Sequence, residues 1–134
     1  MQYVAFPPAD AVVVGYLSEQ LAALGDSATV ATKIPSPRPT RLVRITASGG
    51  GGTLRTVLSA RTVIVQCWEA TEPDAGELAE TCFGLLTWAW RNDAGAIRSA
   101  SVVGAPASFP DPDTSLPRYQ FTLSLDIRGT VHTI

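Results

Sequence analysis

The chain has 134 residues with ten Lys+Arg against twelve Asp+Glu, and its formal charge of -2 excludes a polycationic nucleic-acid binder held mainly by phosphate contacts. With 46% hydrophobic and 16% charged residues it has the composition of a globular chain able to bury about two-thirds of its unfolded surface, so one domain over residues 1–134 is expected. Eleven Gly and ten Pro argue against an all-helical fold, two Cys are too few for a disulfide framework or a zinc site, and the absence of a basic leader or a bilayer-length apolar run predicts a soluble protein without a membrane partner.

After Pro7-Pro8, the apolar residues Val14, Leu17, Leu21 and Leu24 recur at spacings of three and four, which predicts a helix from Asp10 to about Leu24. Asp10 is its expected N-cap, and Gly25 the left-handed residue that ends it. Thr29 to Ile34 reads as a short β-branched strand, cut off by Pro35, Pro37 and Pro39, which form a stiff extended connector. From Arg41, Val43 and Ile45 alternate with Arg44 and Thr46 as in a half-buried strand. The run Gly49, Gly50, Gly51 and Gly52 has no side chains to bury and reads as a long, mobile hairpin loop. Thr62 to Glu69 follows as a strand with Val63, Val65 and Cys67 on one face and Ile64, Gln66 and Trp68 on the other; apolar residues on both faces place it centrally.

Thr71-Glu72-Pro73-Asp74 opens a second helix, expected to run to about Arg91, because a hydroxyl cap, early acids and an early proline suit the positive end of a helix. Ala75, Leu78, Ala79, Cys82, Leu85, Leu86 and Ala89 form its buried stripe, with Asp74, Glu77 and Glu80 opposite. Ile97 to Val103 is another strand, and Ala105 to Pro117, with four prolines, a long irregular loop. In the last strand Tyr119, Phe121, Leu123, Leu125 and Ile127 alternate with polar residues, so one face is buried. The order predicts an α+β fold, two helices packed on a mostly antiparallel twisted sheet.

Catalytic constellations are not evident. His132, the one histidine, stands close to the C-terminus, where a triad or metal site would rest on the least constrained part of the chain. Cys67 and Cys82 fall on apolar faces with no base nearby in sequence, as core thiols do. The glycine run lacks the Lys-Ser/Thr and helix of a phosphate loop, and Asp111-Pro112-Asp113 lacks the glycine and glutamate of a calcium loop. No catalytic, cofactor-binding or metal residue is therefore named, and the chain reads as a non-enzyme; a small hydrolase using Cys67 or Cys82 with His132 is the competing enzymatic reading.

Other residues bear on association. Arg38, Arg41 and Arg44 form a basic cluster beside the proline run, suited either to an ordinary charged strand edge or to carboxylates across an interface. Trp88 and Trp90, two positions apart on a helix, point opposite ways and cannot both enter one core, so at least one is expected at another surface. Asp74, Glu77 and Glu80 make an acidic stripe on the second helix, fitting a solvated face.

Together, the first helix, the Pro-x-Pro-Arg-Pro-x-Arg connector from Pro35 to Arg41, Leu42-Val43-Arg44-Ile45, the Gly-rich hairpin, Val65-Gln66-Cys67-Trp68-Glu69-Ala70 and Ala75-Gly76-Glu77-Leu78-Ala79 resemble the tail terminator proteins of long non-contractile-tailed bacteriophages, in the minor-tail or tail-completion group of siphoviruses. The resemblance covers Asp10 to about Leu86 and, more weakly, the last two strands; nine Arg against one Lys suits a high-GC genome. It implies a small α+β structural subunit that forms a hexameric ring on the completed tail tube, stops tube polymerisation and presents a surface to the head. The implied partners are further copies of itself, the major tail tube protein and the head-side connector protein, with genomic DNA passing through the ring without sequence-specific binding. The implied location is the head-proximal end of the virion tail after assembly in the host cytoplasm, and no cofactor is implied. In such a ring the Gly-rich hairpin and Pro-rich loop would order on contact with neighbours, and Asp74, Glu77 and Glu80 would repel DNA phosphates if they faced the lumen. A head-tail connector adaptor or stopper, a head-completion protein, shares the same size and ring-forming habit and is the alternative.

Overall fold

A computed structural model describes residues 1–49, 54–92 and 95–134. The elements run β1 (Gln2–Ala5), α1 (Ala9–Ala23), β2 (Thr29–Ala31), β3 (Leu42–Ser48), β4 (Leu54–Arg55), β5 (Leu58–Trp68), α2 (Glu72–Thr87), a short 3-10 helix (Ala89–Asn92), β6 (Ile97–Ser108), β7 (Arg118–Arg128) and β8 (Thr130–Thr133). The main sheet has the order β2-β3-β5-β7-β6, with β4 paired to β5 off this path. β2 lies parallel to β3 and the other pairs are antiparallel, so the fold is α+β on a mostly antiparallel sheet.

The centre of the sheet follows from the two most regular alternations in the chain. β5 and β7 pair over the full 11 residues of each, with Val63 opposite Leu123 and Val65 opposite Phe121. Those side chains, with Val43 and Ile45 of β3, meet Val13, Leu17 and Leu21 of α1 and Leu78, Ala79, Cys82 and Leu86 of α2 in one buried cluster. Burying each such aliphatic side chain contributes about 1.5–3 kcal/mol. Truncating one, as in Leu123→Ala, costs about 2–5 kcal/mol because the cavity collapses only in part. Among the described residues the opposite face has no helix on it. It presents half-buried Thr46, Ile64 and Thr122 in register, and Gln66 Nε2 donates to Gln120 Oε1 at 3.0 Å across β5 and β7.

Several local readings shift. Pro8, not Asp10, occupies the N-cap of α1, and Asp10 sits in the first turn, where its Oδ1 accepts from Ala11 N at 2.7 Å. The buried stripe of α1 is Ala9, Val13, Tyr16, Leu17 and Leu21, whereas Leu24 caps the helix and is exposed. Gly25 does end the helix at φ +73, and it lets Asp26 N reach Leu21 O at 2.9 Å while its own N–H reaches Ala22 O at 3.0 Å. The strand expected to reach Ile34 stops at Ala31. Helix α2 begins as expected, Thr71 Oγ1 accepting from Asp74 N at 3.3 Å, but it ends at Thr87, whose hydroxyl donates to Phe83 O at 2.8 Å.

The irregular loop expected from Ala105 begins only after Ser108. β6 continues through Pro106 because it is an edge strand whose register with β7 slips on either side of Gly104, so the missing N–H breaks no central ladder. The termini form an element that alternation over so few residues did not reveal. β1 and β8 pair antiparallel as a two-stranded ribbon, with Tyr3 stacked on His132 at 5.1 Å. Gly129 permits this closure, since a Cβ there would lie 2.6 Å from Val4 Cγ1 and 2.9 Å from Ala5 O. The Gly-rich loop falls at Gly50, Gly51 and Gly52, outside the described residues; Gly49 is exposed beyond the end of β3. Among the described residues no helix is long and apolar enough to cross a membrane.

Candidate functional site

The basic cluster read from the sequence divides into three separate contacts within the chain. Arg41, just before β3, donates from Nε to Asp26 Oδ1 at 2.8 Å, from Nη2 to Asp26 Oδ2 at 2.7 Å and from Nη1 to Glu69 Oε2 at 3.2 Å. This fork ties the end of α1 to the end of β5, and both carboxylates are mostly shielded from water. The hydrogen bond from Arg41 holds the Asp26 carboxyl below the usual carboxylate range, opposed by burial and helped by the Ala28 N–H. Arg44 donates from Nε to Thr32 O at 3.2 Å, fastening β3 to the residue after β2. Arg38, on the proline connector, lies over the Trp68 ring at 5.0 Å.

Trp68 is the centre of a second cluster on the helix-free face. Its Nε1 donates to Asp111 Oδ2 at 3.1 Å, and the Arg118 guanidinium stands 5.6 Å from its ring. Arg118 Nε in turn donates to Phe109 O at 2.8 Å, which fastens the loop after β6 over the tryptophan. Asp111 is buried and accepts the Asp113 N–H at 2.9 Å; that backbone bond is the main cause holding its carboxyl below the usual range, with the Trp68 N–H assisting against burial. A cleft of about 310 Å³ lined by Arg38, Thr40, Trp68, Glu69 and Leu116 opens beside this cluster. Nη2 of Arg38 is buried without an acceptor among the described residues.

The end of α2 is built differently. The helix stops at Thr87 and the chain tightens into the 3-10 helix, which places Trp88 and Trp90 around a single guanidinium instead of on opposite sides. Arg91 lies 4.6 Å from the Trp88 ring centroid and 5.2 Å from that of Trp90. Both rings remain half-exposed, at 53% and 49%, and no carboxylate among the described residues reaches Arg91. A cation held between two half-exposed indoles, with no carboxylate among the described residues on it, is a surface suited to another molecule's acceptor and apolar groups.

The acidic residues Asp74, Glu77 and Glu80 lie on the exposed side of α2, away from the sheet. Cys67 and Cys82 face each other inside the core, and the hydrogen bond between them, together with burial, pushes the Cys67 thiol well above its usual value. His132 lies in the terminal ribbon, stacked on Tyr3. No group of three or more His, Cys, Asp or Glu among the described residues is placed to hold a metal ion.

No known family model and no curated protein matches the chain. The functional reading therefore rests on residues. Of Asp26, Glu69, Asp111 and Arg118, which lock the arginine and tryptophan clusters, only Asp111 is weighed as a site residue in the sequence, within a rejected calcium loop. The one local signal among them is Asp111-Pro112-Asp113, whose spacing suits an aspartate that accepts the backbone N–H two residues on.

Proposed function

We propose that the protein is a structural subunit of a bacteriophage virion that caps the completed tail tube as a ring, halts tube polymerisation and offers the surface to which the head connector joins. The observation that carries this reading is the meeting of the segments that resemble tail terminators. The proline connector touches the end of β5 through Arg38 on Trp68, and Arg41 pairs with Glu69, so residues dispersed over the pattern build one packed corner. The open tryptophan pair at the end of α2 supports the same reading, because a subunit that works by assembly needs a surface its own chain leaves uncovered. On this reading the partners are other copies of the chain, the tail tube protein and the head-side connector, with DNA passing through the lumen.

The test is to add the purified protein to polymerising tail tube protein and measure tube length and end density by negative-stain electron microscopy. Capping shortens the tubes in proportion to added protein and leaves extra density at one end. Unchanged tubes with retained binding to the head connector would shift the assignment to an adaptor or stopper, and binding to neither would end it. A map of the capped end also decides the acidic stripe: Asp74, Glu77 and Glu80 facing outward would remove any role in repelling DNA.

A further inference from the structure

The exposed large apolar side chains of the described residues gather at the chain termini and along the free edge of β6, with Leu24, Ile34 and Leu54 scattered elsewhere. The β6 edge is bounded at its start by Trp88 and Trp90, carries Val102 and Val103 midway, and ends at Phe109. From Ser99 to Ser108 it contains no charged residue. Such an edge ordinarily invites another strand, yet β6 slips register with β7 at three places and contains Pro106, which together deny a neighbour a regular ladder. Contact through this edge therefore falls to side chains, and those that can give it direction stand at its two ends. These ends differ in the charge they leave to a neighbour, since Arg118, the cation at the second end, is turned onto Phe109 O and the Trp68 ring. The start presents Arg91 between two indoles, and the end presents Phe109, Pro110, Pro112 and Asp113, all exposed, with no cation among the described residues within salt-bridge distance of Asp113. The two ends are separated by the length of β6, which runs alongside β7 from Ile127 to Tyr119, roughly 27 Å at the rise of an extended strand.

From this complementarity we infer that the occupant is a second copy of the chain, the Trp88–Arg91–Trp90 surface of one subunit seating the Phe109–Asp113 loop of the next. Two unlike surfaces far apart on one subunit make a head-to-tail contact, which propagates until a ring closes. The aromatic and proline side chains supply the apolar area, and Arg91 and Asp113 fix the direction. This contact rests on the ring-forming reading above and names the residues that would carry it.

The experiment uses the full chain, light scattering across concentration and negative-stain imaging, with Arg91→Glu, Asp113→Arg and an equimolar mixture of the two. The wild-type chain is expected to form closed species larger than a dimer. Each charge reversal is expected to weaken association about a hundredfold, with circular dichroism unchanged, since both sites are exposed. The mixture is expected to recover assembly because each reversed charge then meets its reversed partner. Rings that persist in both single variants would overturn the contact while leaving the capping function intact. A wild-type assembly that stops at a two-fold dimer would overturn the head-to-tail arrangement. Capping of tail tubes by Arg91→Glu and by Asp113→Arg at the wild-type level would refute the contact alone, and a wild-type chain that neither assembles nor caps would refute both.

Discussion

Arg41 and Arg91 are the same side chain put to opposite uses at two ends of the molecule. Arg41 stands where the end of α1 and the end of β5 converge, so two carboxylates arrive within 3.2 Å and each of its three nitrogens donates to one of them. Arg91 stands where a helix runs out beside an edge strand; the fold brings it two aromatic faces and, among the described residues, no carboxylate. An arginine becomes a rivet or an open surface according to what the topology delivers to it, which local sequence does not disclose.

The strongest way to break this contrast is Arg41→Ala, which leaves Asp26 and Glu69 half-buried without their cation. A loss of about 2–3 kcal/mol is expected from urea denaturation, and a loss below about 0.5 kcal/mol would make the fork dispensable. Acid probes the same corner more gently, because Asp26 and Asp111 keep backbone donors when protonated. Both have folded pKa values below the unfolded value of about 3.9, so their contribution is complete above it and is lost as pH falls through the lower folded values. The thermal midpoint should hold from pH 6 to about 4 and then drop, and Asp26→Asn should flatten that drop; an unchanged acid slope in the variant would count against the pairing.

Asp111→Asn keeps an acceptor for the Trp68 indole but removes the charge, and about 1 kcal/mol of destabilisation is expected by calorimetry, together with a shift in tryptophan fluorescence. The smallest effect belongs to the other end of the comparison. Arg91→Ala should change the stability of the isolated subunit by at most about 0.5–1 kcal/mol, the range of an exposed cation–π pair. A loss as large as that of Arg41→Ala would show that Arg91 has a structural role within its own subunit.

How far each region could be read in advance follows from the range of the forces that shape it. The core alternation of β5 and β7, the cap at Thr71 and the stop at Gly25 are local effects of side-chain period, hydroxyl geometry and backbone freedom, and each appears where the residues place it. The acidic side of α2 is legible for the same reason. The tryptophan pair was legible as a surface feature but not in its shape, because opposite directions follow from α-helical spacing and the chain had already tightened into a 3-10 helix. The extension of β6 through Pro106 was hidden because a proline weighs against a strand unless that strand is known to lie at an edge.

The sequence by itself determined the α+β class, the two helices, and the central strands with the face each strand buries, since periodicity is written residue by residue. Only the tertiary structure decided that Asp26 and Glu69 would close on Arg41, that Asp111 would take the indole of Trp68, and that the two termini would pair as a ribbon. Those contacts join residues 15 to 43 positions apart, and further still in the ribbon. Their partners are selected by where packed elements bring polar groups out of water together, a condition that exists only once the core has formed.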